Sequence, residues 1–167
     1  MPYKKYKFSA GFTIAELLIA LAIMALLLAA VATAFNASAI NFKENENMFK
    51  AITAARNALL LMTSQIRTGF VDPTDYLSQT TCTLQCADDS NVTYRYNSGE
   101  KKLYLHNNDT NTDHLLCENV TAMTFQKEKD DNTPPDIKSV QITITVESNN
   151  TQQTLSAAAV VRKVLER

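Results

Sequence analysis

Residues 12–35 read FTIAELLIALAIMALLLAAVATAF, and the organisation of the rest of the chain follows from this stretch. It carries one charged side chain, Glu16, among apolar residues. As a helix it spans roughly 36 Å, at about 1.5 Å per residue, which exceeds the bilayer hydrocarbon thickness of about 30 Å. Its Ala, Leu, Ile and Met residues are good helix formers. The stretch therefore predicts a helix able to cross a membrane.

The segment before this stretch is short and basic. It reads MPYKKYKFSAG and contains Lys4, Lys5 and Lys7. Positive charge beside a membrane helix favours the cytoplasmic side, so we expect the remainder of the chain to be exported. A cleaved secretory signal peptide is one alternative, but its apolar core of about 7–15 residues is shorter than this one. An ordinary signal anchor is the other, and it gives no role to Glu16, whose charge within a membrane segment needs a partner.

The composition of the whole chain excludes several classes of protein. The chain has 167 residues, a formal net charge of −1 and 46% hydrophobic residues. It has no basic cluster beyond the first few residues, which argues against a nucleic-acid partner. Two histidines, no glycine-rich loop and no dense cluster of Cys and His leave little material for an enzyme. We therefore expect neither catalysis nor a cofactor or a metal ion.

Gly11, Phe12 and Glu16 belong to the motif GFTIAE, which lies between the basic leader and the apolar run. This motif resembles the prepilin signal of type IV pilins and type II secretion pseudopilins. The resemblance implies that a prepilin peptidase cleaves between Gly11 and Phe12 and that Phe12 is then N-methylated. It also implies as partners other pilin or pseudopilin subunits, the inner-membrane assembly platform, the membrane and the peptidase itself. The protein would be a single-pass inner-membrane protein whose C-terminal domain is exported to the periplasm or a surface filament.

The chemistry of the motif fits this resemblance. Gly11 has no Cβ, so a peptidase can approach its backbone closely. Cleavage would create a cation at Phe12, and Glu16 of one subunit can pair with the Phe12 ammonium of its neighbour. Such a pair in a low-dielectric helix bundle would compensate the buried charge and fix the axial register. The alternative for Glu16 is a carboxylate near the membrane surface that is stabilised by the helix dipole.

A helical pattern continues beyond the apolar stretch. Apolar side chains recur there at three- and four-residue steps and form one stripe: Met48, Ile52, Ala55, Leu59, Met62, Ile66 and Phe70. Gly69 and the Asp72-Pro73 pair predict a stop near Thr68. We therefore expect one helix from Phe12 to about Thr68 whose stripe packs on the protein's own sheet, with a coiled-coil seam as the alternative. Many major pilins carry a kinking proline in the apolar half, and this chain has none there.

The sequence after the helix predicts short strands and polar loops. The clearest strand alternation runs from Val140 to Val146, and residues 97–100 form a hairpin signal. The predicted strands are residues 92–96, 102–106, 117–126, 140–146 and 155–164. An antiparallel meander with one face on the helix stripe gives an α+β fold, with a long N-terminal helix packed against a C-terminal antiparallel sheet.

These patterns divide the chain into four segments. They are the prepilin leader (1–11), the transmembrane or filament-core half of the helix (12–35), its amphipathic half (36–70) and a globular sheet domain (71–167).

Two further stretches resemble one branch of pseudopilins. Residues 65–70, QIRTGF, are similar to the end of the helix in J-type minor pseudopilins and the related W-type minor pilins. Residues 115–120, LLCENV, followed by Phe125, are similar to a second segment of that branch, and Arg162 fits a strand-ending arginine. This resemblance favours a minor over a major subunit.

Cys82, Cys86 and Cys117 all follow the helix in sequence. They lie in the part of the chain that we expect to be exported to a compartment where thiols can be oxidised. On one strand the Cα atoms of Cys82 and Cys86 would be about 13 Å apart. A disulfide requires less than about 7 Å, so the predicted bridge joins Cys117 to Cys82 or Cys86. The alternative is that all three are buried and reduced. Their spacing does not match a zinc site.

The polar loops offer one candidate ion site. Residues 107–113, NNDTNTD, are rich in oxygen ligands and could hold Ca²⁺, but they lack the Gly and terminal Glu of an EF-hand loop. A solvated hairpin tip is the favoured interpretation. His106 and His114 flank this loop and are interpreted as surface residues. Residues 127–136 read KEKDDNTPPD and predict an exposed loop, since Pro134 and Pro135 prevent strand pairing.

The sequence therefore predicts a minor pilin or pseudopilin, a structural subunit that assembles into or primes a type IV pilus or a type II secretion pseudopilus. A major pilin is the first alternative. The second is a single-pass binding protein whose exported sheet domain captures a ligand and whose helix serves only as an anchor.

Overall fold

The computed structural model describes residues 11–130, 136–149 and 151–162. The leader lysines Lys4, Lys5 and Lys7, the Pro134-Pro135 pair and the end of the last predicted strand lie outside these ranges. The chain divides into two compact units, Met1–Lys43 and Glu44–Arg167.

One helix precedes all of the strands, as the sequence predicts. The elements in chain order are α1 (Ile14–Thr68), β1 (Phe70–Val71), a 3₁₀ turn (Pro73–Asp75), β2 (Thr81–Gln85), β3 (Asn91–Asn97), β4 (Lys102–Asn107), β5 (Thr112–Cys117), β6 (Val120–Lys129), β7 (Ile137–Ser148) and β8 (Thr151–Val160). The α+β fold is therefore confirmed, and α1 ends at the residue that the stop signals indicate.

Gly69 makes the end of α1 possible. A Cβ at this position would lie 2.5 Å from the carbonyl oxygen of Gln85 and 2.9 Å from that of Gln65. Both neighbours are backbone atoms, which cannot turn aside as a side chain can, so only glycine fits here. The chain then enters β1, which pairs with β2. Phe70 therefore lies on a strand and not on the helix, where the stripe placed it.

The strands form two sheets and not the single meander that the sequence predicts. β1 to β5 form a five-stranded antiparallel sheet in chain order, and β6 to β8 form a three-stranded antiparallel sheet. The predicted strand 117–126 is divided between them, because the chain turns at Asn119, whose φ is 60°. Both sheets contribute buried side chains to the same core cluster as α1, among them Tyr94, Phe125 and Ile142.

The hairpin turns use left-handed residues other than glycine. Lys101, Asn111 and Asn149 each have φ 54°, and each lies in the turn between two paired strands. Asn tolerates this conformation because its short polar side chain can hydrogen-bond locally. The turns predicted at residues 97–100 and 107–113 are therefore confirmed, although the chain holds only three glycines.

The buried side of α1 matches the predicted stripe in its centre and differs at its ends. Its buried residues are Ala51, Ala55, Ala58, Leu59, Met62 and Ile66. Met48 and Ile52 are half-buried. Ala51 and Ala58 are buried although they do not belong to the predicted stripe. Their small side chains explain this, because they let a sheet approach the helix closely.

The prediction of an exposed loop over residues 127–136 is wrong for residues 127–129. β6 extends to Lys129, and the Lys127 side chain has no exposed surface. Strand pairing of Lys127 with Val140 of β7 carries the chain into the core before the two prolines. The prediction rested on composition, which cannot show that a lysine has buried partners elsewhere in the chain.

Candidate functional site

The predicted cleavage site lies immediately before the helix. Gly11, Phe12 and Thr13 have no regular secondary structure, and α1 begins at Ile14. The Phe12 side chain is 84% exposed, and a Cβ built at Gly11 would meet no atom within 4 Å. A protease must bind its substrate in an extended form, and the backbone here is already free of helical hydrogen bonds at the bond between Gly11 and Phe12.

Glu16 and Thr13 form a reciprocal cap at the start of α1. The backbone N–H of Thr13 donates to Oε2 of Glu16 at 2.9 Å, and the backbone N–H of Glu16 donates to the Thr13 hydroxyl at 3.2 Å. The Thr13 hydroxyl also donates to the same Oε2 at 2.9 Å. This is a capping box, in which Ser or Thr at the first position and Glu three residues later satisfy each other's N–H groups.

The cap was missed in the sequence analysis, although the signal is present. Thr13 and Glu16 have the spacing T-x-x-E directly before an apolar run, which is the pattern of a capping box. The local cap and the pairing with a neighbouring subunit are compatible. Both hydrogen bonds to Glu16 use Oε2, and within the described residues no group donates to Oε1.

The apolar half of α1 is exposed among the residues that the structure describes. All residues from 11 to 47 are exposed, and α1 contains a window that is long and apolar enough to cross a membrane, none of it buried. Large apolar side chains such as Ile19, Leu26 and Phe35 are each more than half exposed. This surface fits a membrane anchor near the N-terminus, since lipid or other helices must cover it in the cell.

The C-terminal half of α1 is fixed to the five-stranded sheet. Ile66 and Met62 have no exposed surface, and the buried Tyr94 hydroxyl of β3 donates a hydrogen bond to Oε1 of Gln65. Burial raises the pKa of Tyr94, which keeps its hydroxyl protonated and able to donate. The helix and sheet of this unit are therefore joined by both apolar packing and a buried polar contact.

The three cysteines are free thiols, which corrects the predicted disulfide. Cys82 lies on β2 and Cys117 on β5, and two strands separate them in the sheet order. Neighbouring strands are about 4.8 Å apart, so this separation is about 14 Å and exceeds the reach of a disulfide. Cys86 follows β2 and is also buried without a bridge. The alternative that all three are buried and reduced is the one that the structure has.

Burial also makes these thiols poor nucleophiles. Loss of solvent raises the pKa of Cys82 to about 12 and that of Cys117 to about 11. At neutral pH both therefore stay protonated, and the thiolate is the reactive form. Burial also raises the pKa of the Cys86 thiol.

The Asn/Asp loop closes a hairpin with its own side chains. Oδ1 of Asn107 accepts from the backbone N–H groups of Asp109 and Thr110 at 2.9 and 3.1 Å. Asp109 in turn accepts from the backbone N–H of Asn91 at 2.9 Å. These oxygens are occupied as turn-forming acceptors. Among the described residues no group of three or more His, Cys, Asp and Glu side chains could hold a metal ion.

His106 takes part in a contact across three strands. Its Nδ1 lies 2.8 Å from Oδ1 of Asp113, and the Arg95 guanidinium donates to Oδ2 of the same carboxylate at 3.0 Å. The hydrogen bond with His106 and the charge of Arg95 hold the pKa of Asp113 below its usual range. No nucleophilic side chain takes part in these contacts. They tie β3, β4 and β5 together on an exposed surface.

The comparisons with known proteins agree with the N-terminal motif. Residues 6–32 match the family model described as the prokaryotic N-terminal methylation motif. No curated protein and no solved structure matches the chain. The matched region covers residues 6–13 and about the first third of α1, so it supports a structural subunit of the type IV pilin or pseudopilin kind, with an N-terminal methylation motif and an apolar helix that fits a membrane anchor. The match leaves the sheet domain without a counterpart.

Proposed function

We propose that this protein is a minor pilin or pseudopilin, which assembles into or primes a type IV pilus or a type II secretion pseudopilus. The observation that carries the proposal is the methylation motif over residues 6–32, at the exposed start of a long apolar helix. The four segments predicted from the sequence belong to the same proposal, with the leader 1–11 removed and residues 12–35 serving first as anchor and later as filament core.

Processing is the first step of the proposed mechanism. A prepilin peptidase cleaves the bond between Gly11 and Phe12, and the new amino group of Phe12 is N-methylated. The non-helical backbone and the open space at Gly11 support this step, because among the described residues neither helix nor a packed side chain obstructs the peptidase. The helix itself is unaffected, since its cap residue Thr13 stays in the mature chain.

Assembly is the second step, and Glu16 is its central residue. Oε2 of Glu16 holds the cap with Thr13, while Oε1 remains open to a second donor. The positive amino group of Phe12 in a neighbouring subunit is a donor of matching charge, and a pair between them would fix the axial position of each new subunit. The exposed apolar side chains of residues 17–35 would then pack between helices in the filament core.

The minor role is supported by two stretches of sequence and their positions. Residues 65–70 end α1 and enter β1, and residues 115–120 form the passage from β5 to β6. Both are the segments that resemble J-type pseudopilins and W-type minor pilins. Their proposed partners are other pilin or pseudopilin subunits and the inner-membrane platform, with the sheet domain exported.

The first experiment is the intact mass and N-terminal sequence of the protein from native membranes. We expect a chain that begins at N-methyl-Phe12, and a full-length chain in cells whose prepilin peptidase is inactive. A chain that begins at Met1, or one cleaved beyond Phe35, would overturn the proposal and favour a membrane-anchored binding protein or a secreted domain. Scarcity of the protein in sheared filaments would separate a minor from a major subunit.

A further inference from the structure

A buried lysine lies at the junction of the 3₁₀ turn, β2 and β6. Nζ of Lys127 donates to the backbone carbonyl oxygens of Asp75, Ser78 and Thr81, the last two at 3.0 and 2.9 Å. Oδ2 of Asp75 lies 3.2 Å from the same nitrogen. The Lys127 side chain has no exposed surface and that of Asp75 is 15% exposed. Four oxygens of one short segment therefore surround a single nitrogen of a distant strand.

The hydrogen bonds identify the nitrogen as an ammonium group. A lysine ammonium has three N–H donors and no acceptor, and three carbonyl oxygens accept from Lys127 here. The Asp75 carboxylate supplies the opposite charge. A buried charge is tolerated only when it is paired and fully hydrogen-bonded, and this arrangement meets both conditions.

The carboxylate of Asp75 is itself held in place. Its Oδ1 accepts from the Thr81 hydroxyl at 2.8 Å, and its Oδ2 accepts from the backbone N–H of Thr83 at 3.0 Å. The 3₁₀ turn that carries Asp75 is capped by Asp72, whose Oδ1 accepts from the backbone N–H of Thr74 at 2.8 Å. The oxygens around the ammonium are thus positioned by contacts that do not involve Lys127.

Carbonyl and carboxylate oxygens that converge on one point are the usual ligand set of a hard cation. Calcium requires oxygen distances of about 2.3–2.6 Å, which are shorter than those to Ser78, Thr81 and the Asp75 carboxylate. Distances near 2.9 Å are typical of N–H···O hydrogen bonds from an ammonium group. The cage, defined as these oxygens of Asp75, Ser78 and Thr81, therefore has the size for a singly charged, ammonium-sized cation.

We propose that this cage is a cation-binding site that is permanently filled by the protein's own Lys127. The tethered ammonium does the work of a bound ion, since it holds the connection between α1 and β2 in one shape without a metal or a disulfide. This inference concerns the sheet-containing unit alone and does not depend on the pilin function. The oxygens are arranged by other contacts, so removal of the lysine stem leaves a site for a free alkylammonium ion.

The experiment is chemical rescue of a shortened side chain. Lys127→Ala removes four heavy atoms, three carbons and the nitrogen, which is the composition of n-propylammonium. Equilibrium unfolding of the full chain in detergent would be measured with n-propylammonium chloride and with the same concentration of n-propanol, which fills the volume without a charge. The matched controls are Lys138→Ala, an exposed lysine on β7, and Lys127→Met, which fills the stem volume and blocks entry of the ion.

We expect Lys127→Ala to lower the folding equilibrium constant by about a hundredfold or more, because the Asp75 charge loses its partner. Propylammonium should raise the folding equilibrium constant of Lys127→Ala at least tenfold, while propanol should raise it much less. Wild type, Lys138→Ala and Lys127→Met should respond equally and weakly to both compounds. Rescue of Lys127→Ala no greater than the response of these controls would overturn the proposal.

Two further outcomes keep the test decisive if Lys127→Ala does not fold alone. Its refolding yield would then be compared with propylammonium and with propanol present, and an equal yield in both would overturn the proposal. A metal chelator should leave the unfolding of the wild type unchanged, because the cage needs no free ion. Destabilisation of the wild type by the chelator, reversed by added metal, would contradict the role given to Lys127.

Discussion

The two halves of α1 differ in apolar content, which is much higher in residues 14–43 than in residues 44–68, and also in their surroundings. In residues 14–43 every side chain is exposed, whereas residues 44–68 bury one stripe in the core of the sheet domain. The first half has apolar residues on all sides, and the second alternates them with polar residues at helical spacing. One continuous helix can therefore serve two environments, because the number of apolar side chains and their distribution around the axis together determine what must cover each half.

This difference between the two halves also separates the residues that should affect assembly from those that should affect folding. None of the described residues of the first unit is buried, so their apolar surface is available to lipid or to other chains. The second unit contains all the buried apolar residues of the described chain, from Ala51 to Val161. Substitutions in the first half should therefore change assembly and leave the stability of the sheet domain intact, and substitutions in the second half should do the reverse.

The largest effect should come from Glu16→Ala. We expect normal membrane insertion but at least a tenfold loss of the protein from sheared filaments, because the carboxylate that would receive the Phe12 ammonium is gone. Immunoblots of filament and membrane fractions would measure this. Glu44→Ala, which removes an exposed carboxylate of the second unit, is the control and should assemble normally. Normal incorporation of Glu16→Ala would refute the register role.

The comparison of the two halves is sharpened by the same substitution in each. Ile66→Ala removes a side chain with no exposed surface and should lower the free energy of unfolding by about 2–5 kcal/mol. Ile19→Ala removes one that is 60% exposed and should leave the unfolding of the sheet domain unchanged. Urea unfolding of both full-length variants in detergent would test this. Equal destabilisation by the two would show that the halves are not independent.

A smaller effect is expected at the hydrogen bond between sheet and helix. Tyr94→Phe removes the donor to Gln65 and should cost about 1–2 kcal/mol of stability, because the amide oxygen is left without its buried partner. Tyr104→Phe removes a hydroxyl whose hydrogen bond to Glu100 is at the surface, and it should leave the urea midpoint nearly unchanged. If both variants unfold at the same urea concentration, the contact with the helix contributes nothing.

The smallest effect concerns the exposed contact of Asp113 with His106 and Arg95. The pKa of Asp113 is lowered in the folded state, so its contribution to stability is present above the unfolded value of about 3.9 and is lost as the pH falls through the lowered value. Asp113→Asn should therefore lower the urea midpoint slightly at pH 7, and the difference should shrink as the pH falls below the unfolded value. A difference that grows as the pH falls would contradict this assignment.

Local patterns predicted the elements that short-range physics determines. The end of α1 at Thr68, the hairpin at residues 97–100 and the strand through Val140 to Val146 follow from periodicity and from residues that stop helices or favour turns. The capping box of Thr13 and Glu16 belongs to the same class, since its two members are three residues apart. It was missed because Glu16 was interpreted only through its charge.

These local patterns could not predict contacts between residues that are far apart in sequence. Asp75 is in the 3₁₀ turn and Lys127 is on β6, and neither position has a neighbour in sequence that indicates the other. The same holds for the cysteines, whose oxidation state depends on whether β2 and β5 are adjacent. Sequence spacing argued against a bridge between Cys82 and Cys86 only on the assumption of a shared strand, and Cys86 lies just after β2; the spacing carried no information on the order of the strands.

The sequence by itself determined the long helix, the exposure of its apolar half and the positions of most strands. Each of these depends on residues within a few positions of one another, where backbone geometry relates spacing to direction. Only the tertiary structure decided that the strands form two sheets, that Lys127 is buried in a cage of oxygens and that the three thiols stay apart. These depend on which distant segments meet when the common core is packed, and a linear pattern does not encode that pairing.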